Sequence, residues 1–203
     1  MPAKNDETTH EIYQIKVTLL GTSPPVWRRL LVPADFTLEQ LHSVLQASMG
    51  WENCHMHDFR VGSQRFGKPL PGENLFGGSV TASERATRLF NVLPKVGAKA
   101  VYTYDFGDSW EHGIVVEKLL AAEAGHNYPA CIDGERHGPP EDCGGVPGFY
   151  NLLEAISNPK HDEHKELCEW FGDFAPDAFS ADEVNRKLAS LQRRRNKIAA
   201  AKK

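Results

Sequence analysis

Val101-Tyr102-Thr103-Tyr104-Asp105-Phe106-Gly107-Asp108-Ser109-Trp110-Glu111-His112 enters as an apolar-aromatic run and turns into a polar corner. Ile114-Val115-Val116 then leaves it. The pattern predicts two strands joined by a short loop, with Gly107 supplying the turn. The corner holds three carboxylates and an imidazole: Asp105, Asp108, Glu111 and His112.

Strands also dominate upstream. Tyr13, Ile15, Val17 and Leu19 alternate with Gln14, Lys16 and Thr18, as in a strand with one wet face. Gly21 to Pro25 breaks it, and Val26 to Val32 reads as its hairpin partner. Thr37 opens a helix with Gln40 three residues on, a capping box. Leu38, Leu41, Val44, Leu45 and Met49 share one face of that helix, and Gly50 ends it. Met56–Val61 is expected as a third strand and Gln64–Gly67 as a short fourth.

Residues 68–98 and 121–146 carry no clear period and read as loops. The second is long enough to suggest a function. After Pro147 the apolar spacing is helical: Phe149, Leu152, Leu153 and Ile156, then a helix ending at Trp170-Phe171-Gly172. Val184, Leu188 and Leu191 follow a second capping-box pattern, Ser180 with Glu183. Strands first and helices last imply an α+β layer fold with a helical C-terminal third, and not a Rossmann sheet. The expected organisation is a disordered 1–10, a single domain over 11–192 and a basic flexible tail over 193–203.

The chain of 203 residues carries a net charge of −4. Its last eleven residues hold six Lys or Arg and no acid, which leaves −10 on the other 192. An acidic body disfavours a broad phosphate-binding surface and leaves the tail as the place for weak, nonspecific nucleic-acid contact. No apolar run approaches the ~18 residues of a membrane span. The polar start of the chain lacks a secretory pattern, so a cytoplasmic location is expected. Cys54, Cys131, Cys143 and Cys168 form no CxxC pair, which excludes a zinc ribbon or a thioredoxin-like site.

Several stretches together resemble the plasmid pRiA4b ORF-3-like family, also labelled as passenger proteins of insertion elements. They are Pro25-Val26-Trp27-Arg28-Arg29, Leu41-His42, Gly50-Trp51 with His55-Met56-His57-Asp58-Phe59, and Tyr104 to His112. Pro129-Ala130-Cys131 and Pro139-Pro140-Glu141-Asp142-Cys143-Gly144-Gly145 complete the set, which covers about residues 11 to 185. Met56 stands where the family more usually has Leu, and Cys54 lies outside the family pattern. The resemblance implies a compact α+β domain, with a mixed or mainly antiparallel sheet packed with helices, and an association with mobile elements. The family has no established activity, so no catalytic role carries over.

Three clusters are candidates to converge. The first is His55, His57 and Asp58, the second Asp105, Asp108, Glu111 and His112, and the third Cys131, His137, Asp142 and Cys143. Trp51 and Trp110 are the aromatic walls expected beside them. Imidazoles at 55 and 57 would share a strand face. With Asp108 and His112 they form the candidate set for a divalent metal, zinc or manganese. Turn capping by Asp105 or Asp108 is the competing structural reading. The chain is thus expected to bind a small molecule or a protein. Metal-dependent phosphoester hydrolysis and accessory nucleic-acid binding are the alternatives. Asp105-Phe106-Gly107 lacks the other kinase motifs, and no P-loop or GxSxG elbow is present.

Overall fold

The computed structural model describes residues 11–68 and 81–201, with side chains through Arg193. The expectations for residues 1–10 and for the end of the basic tail therefore lie outside the described residues or side chains.

Among the described residues the apolar alternation builds one eight-stranded sheet. In chain order the strands are β1 (Glu11–Leu19), β2 (Trp27–Pro33), β3 (His57–Val61), β4 (Gln64–Gly67), β5 (Ala82–Ser83), β6 (Lys99–Tyr104), β7 (Trp110–Ala121) and β8 (Ala130–Glu135). Their spatial order is β5-β4-β3-β6-β7-β1-β2-β8. Every pairing is antiparallel except the short parallel β4–β5 contact. The helices are α1 (Leu38–Met49), α2 (Leu89–Val92), α3 (Gly145–Ser157), α4 (His164–Phe171) and α5 (Ala181–Ala201).

α1 starts where its capping box predicts. Gln40 N–H donates to Thr37 Oγ1, Thr37 N–H donates to Gln40 Oε1, and Gly50 closes the helix at φ +94°. Its Leu38, Leu41, Val44, Leu45 and Met49 join Tyr13, Ile15, Val17, Leu30, Val32 and Phe59 in one core. Each of these large side chains contributes ~1.5–3 kcal/mol of burial. The inner face of β2 also carries Arg28, which is only 3% exposed. Its Nε donates to Ser48 O at 2.9 Å near the end of α1, and its guanidinium stacks on Phe179. Burial pushes that guanidinium down to about 10. Arg29 points the other way and pairs with Glu117 and Asp133.

β8 falls within the stretch expected to be a loop. Ala130 to Glu135 carries little β-propensity, and its pairing comes from neighbours. Arg29 Nη1 reaches Asp133 Oδ2 at 2.7 Å, and β2 supplies the ladder. On the outer side the Asn185 side chain of α5 accepts from Cys131 N–H at 2.7 Å and donates to Cys131 O at 2.9 Å. One amide thus imitates a further strand and covers the sheet edge. The corner after β6 is also shorter than expected. Trp110, Glu111 and His112 belong to β7, so only residues 105–109 form the loop.

Candidate functional site

Three chain segments meet at the end of β6. Asp105 follows Tyr104 in the left-handed region at φ +53°. Its N–H donates to Met56 O at 2.8 Å, its Oδ1 accepts from Gly107 N–H at 2.9 Å, and its carbonyl accepts from Ser109 N–H at 2.6 Å. Asp105 thus does the turn-forming work that its place beside Gly107 suggests, using Oδ1. Its Oδ2 faces His55.

The 136–144 loop folds back onto this corner. Trp51 Nε1–H donates to Pro139 O at 2.8 Å. Glu141 Oε1 accepts from Glu52 N–H at 2.8 Å and from the Tyr104 hydroxyl at 3.0 Å. Asp108 Oδ2 accepts from Gly144 N–H at 3.1 Å. Gly145, at φ +66°, lies so close that a Cβ there would stand 2.5 Å from Asp108 O.

His55 sits where the segments meet. Its Nε2 lies 3.0 Å from Asp142 Oδ1, 3.7 Å from Asp105 Oδ2 and 3.9 Å from Glu141 Oε2. Although 3.0 Å is a hydrogen-bond distance, the alignment is wrong, and both His55 Nε2 and Glu141 Oε2 are buried without a hydrogen-bond partner among the described residues. Nε2 and one oxygen each of Asp105 and Asp142 all lie within 4.8 Å of one another. Cys54, His55 and Glu141 form a second group with the same spacing. Either group offers the mixed N, O or S donors that suit a divalent metal. Asn53, Asp105 and Asp142 hold positive φ, so non-glycine backbone outliers cluster around the imidazole.

One member of each sequence cluster therefore converges: His55, Asp105 and Asp142. Other candidates go elsewhere. β3 begins only at His57, so His55 and His57 do not share a strand face. His57 Nε2 instead meets Glu84 Oε2 at 2.7 Å, and its ring stacks on His42. Glu111 pairs with Arg60. His112 is fully buried under Trp51, with Nδ1 3.1 Å from Trp110 O and the two rings edge to face. Burial pushes His112 down to about 4, which keeps it neutral. Trp110 is likewise fully buried, with its ring edge on Phe149.

The third cluster also splits. Cys131 lies on β8 and Cys143 before α3, both as free thiols. Burial raises the Cys131 thiol, and burial together with Asp108 pushes Cys143 up to about 12, against a thiolate nucleophile. His137 packs edge-on against Phe174 and bonds the Gly138 carbonyl. The sequence reading omitted Glu141 and Tyr104 from the site. Glu141 stood inside the conspicuous Pro-Pro-Glu-Asp-Cys segment, the one signal that pointed to it.

A family model described as plasmid pRiA4b ORF-3-like protein matches residues 11–183. The chain is 39% identical over 183 residues to the uncharacterized protein y4hQ of Sinorhizobium fredii, covering 89% of this chain and 92% of that one. It also resembles the crystal structure of a protein of unknown function, MM3350, from Methanosarcina mazei Go1. That likeness has a TM-score of 0.77 and 34% identity, over 87% of this chain and 98% of the other. With the matched region spanning every segment that builds the site, the chain belongs to the plasmid pRiA4b ORF-3-like family.

Proposed function

We propose that the chain is a ligand-binding domain that takes a divalent cation, zinc or manganese, at His55. The nitrogen ligand is His55 Nε2, and the oxygen ligands come from Asp105, Asp142 and Glu141. The observation that carries this reading is the buried, unaligned Nε2 with three carboxylates within 4 Å. Carboxylates drawn together at one ring nitrogen repel each other, and a dication offsets that repulsion. Mostly oxygen ligands with one imidazole fit manganese, and zinc takes the same donor types.

Asp142 is largely exposed, so an ion held there would have an open side for an anionic small molecule or for water. Phosphoester hydrolysis is the reaction that such an open position supports. Elemental analysis of protein purified without a histidine tag, before and after incubation with zinc or manganese, tests the proposal. About one ion per chain is expected, and the His55→Ala protein should fall to background. A wild-type content well below one per chain after incubation would overturn it.

Nucleic-acid contact has less support. Arg28 is buried and Arg29 is committed to two carboxylates, which leaves the basic end of α5 as the phosphate-binding candidate. No helix among the described residues is long and apolar enough to cross a membrane.

A further inference from the structure

A second site lies beside α1, and its lining includes none of His55, Asp105, Glu141 and Asp142. A cavity of about 410 Å³ is lined by apolar Phe36, Val44, Pro129 and Leu191 and by polar groups that include His57 and Glu84. Its size falls in the range of small-molecule pockets, ~300–1,000 Å³.

The polar wall is built with unusual completeness. Asn53 N–H donates to Gln46 Oε1 at 2.8 Å, and Gln46 Nε2–H donates to the Tyr102 hydroxyl at 3.0 Å. That hydroxyl lies 2.8 Å from His42 Nδ1, and His42 Nε2 lies 2.6 Å from Asn53 Oδ1. Asn53 Oδ1 can only accept, so His42 carries its proton on Nε2 and donates it there. Nδ1 of the neutral ring is then the acceptor for the Tyr102 hydroxyl proton. The ring of bonds closes, and His42 is neutral, fully satisfied and 3% exposed.

His57 stacks on this fixed imidazole, with centroids 3.5 Å apart and planes within 2°. Its Nε2 holds the Glu84 carboxylate, which is 6% exposed. His42 thus serves as a platform that orients His57, and His57 orients Glu84. Glu39 is a second carboxylate on the wall, and its outward partner is Arg85. Among the described residues that line the cavity there is no Lys or Arg.

We infer that this cavity binds a small amine, its ammonium group on Glu84 and its apolar body against Phe36, Val44 and Leu191. A buried carboxylate excludes anions from the site and gains most from a cation. The apolar lining supplies the remaining affinity and favours a hydrocarbon or aromatic body over a bare inorganic ion.

Calorimetric titration with 2-phenylethylamine, 3-phenylpropionate and 2-phenylethanol separates the three charge types on one frame. The amine should bind at least about tenfold more tightly than either of the others, in keeping with a charge-assisted bond. Glu84→Gln should remove that preference. Leu191→Trp, on α5 and clear of the hydrogen-bonded wall, should block the amine in protein whose circular dichroism and metal content match the wild type. The inference is overturned if the carboxylate or the alcohol binds as well as the amine, if no probe binds the wild type, or if Leu191→Trp leaves amine affinity intact.

Discussion

The Tyr104 hydroxyl donates to Glu141 Oε1 at 3.0 Å and accepts from Cys54 N–H at 3.1 Å, so one phenol ties together all three segments of the site. Burial, reinforced by Cys54 and Glu141, raises its pKa and keeps it a donor. Tyr104→Phe should cost about 1–2 kcal/mol in stability and weaken metal binding several-fold by freeing Glu141. Denaturant titration and metal calorimetry on the same variant check this. Unchanged metal affinity would show that Glu141 needs no such tether.

Gly138 is packed against the end of α1, where a Cβ would stand 2.2 Å from Met49 O. Backbone cannot yield as a side-chain tip can. Gly138→Ala should therefore destabilise the protein by about 2–4 kcal/mol and lift the 136–144 loop from Trp51. Tryptophan fluorescence should report the change at Trp51. An alanine variant as stable as the wild type would contradict the close packing.

Much of this fold is legible in local sequence, and the exceptions share a cause. Tyr13 to Leu19 and Leu38 to Met49 declare themselves because each buries a face at its own period. β8 does not, since it is held by Arg29 and Asn185 from distant parts of the chain. At the site, Asp105 and His55 stand out as chemistry-bearing residues beside apolar runs. Which residues join them depends on detail that no period supplies. β7 begins at Trp110, so alternation sends Glu111 outward and His112 into the core. The left-handed turn at Asn53 takes His55 off the strand. Glu141 arrives on a proline-rich loop, and the partnership of His42, His57 and Glu84 spans the first half of the chain.

Stability should depend on pH through the two buried imidazoles. Burial pushes His112 and His42 down from about 6.5 to about 4, with the neighbouring His57 adding to the effect on His42. Between those values the unfolded chain binds protons that the folded chain does not. The contribution is fully present above the unfolded pKa and is lost as pH falls towards the folded one, by about 3 kcal/mol per ring. Urea unfolding of the wild type and His112→Phe across this window should give the variant a shallower decline. Equal slopes would contradict a neutral buried His112.

Among the described side chains of α5, Val184, Leu188 and Leu191 make the apolar contacts with the core. A chain ending at Arg193 should therefore keep its stability within about 1 kcal/mol. It should also lose whatever nucleic-acid affinity the full chain has. That affinity should be weak, indifferent to sequence and steeply reduced by salt. Thermal melts and gel-shift assays at two salt concentrations measure both effects. Tight, sequence-selective retention at physiological salt would point to DNA recognition instead.

The proposed cation ligands are His55, Asp105, Glu141 and Asp142, with His57 and His112 outside the set. Calorimetric titration of zinc and of manganese into wild type, His55→Ala, Asp105→Asn and His57→Ala tests this set directly. One site is expected in the wild type, with its loss in His55→Ala, a large reduction in Asp105→Asn and unchanged binding in His57→Ala. No binding in the wild type, or equal loss in the His57 and His55 variants, would contradict it.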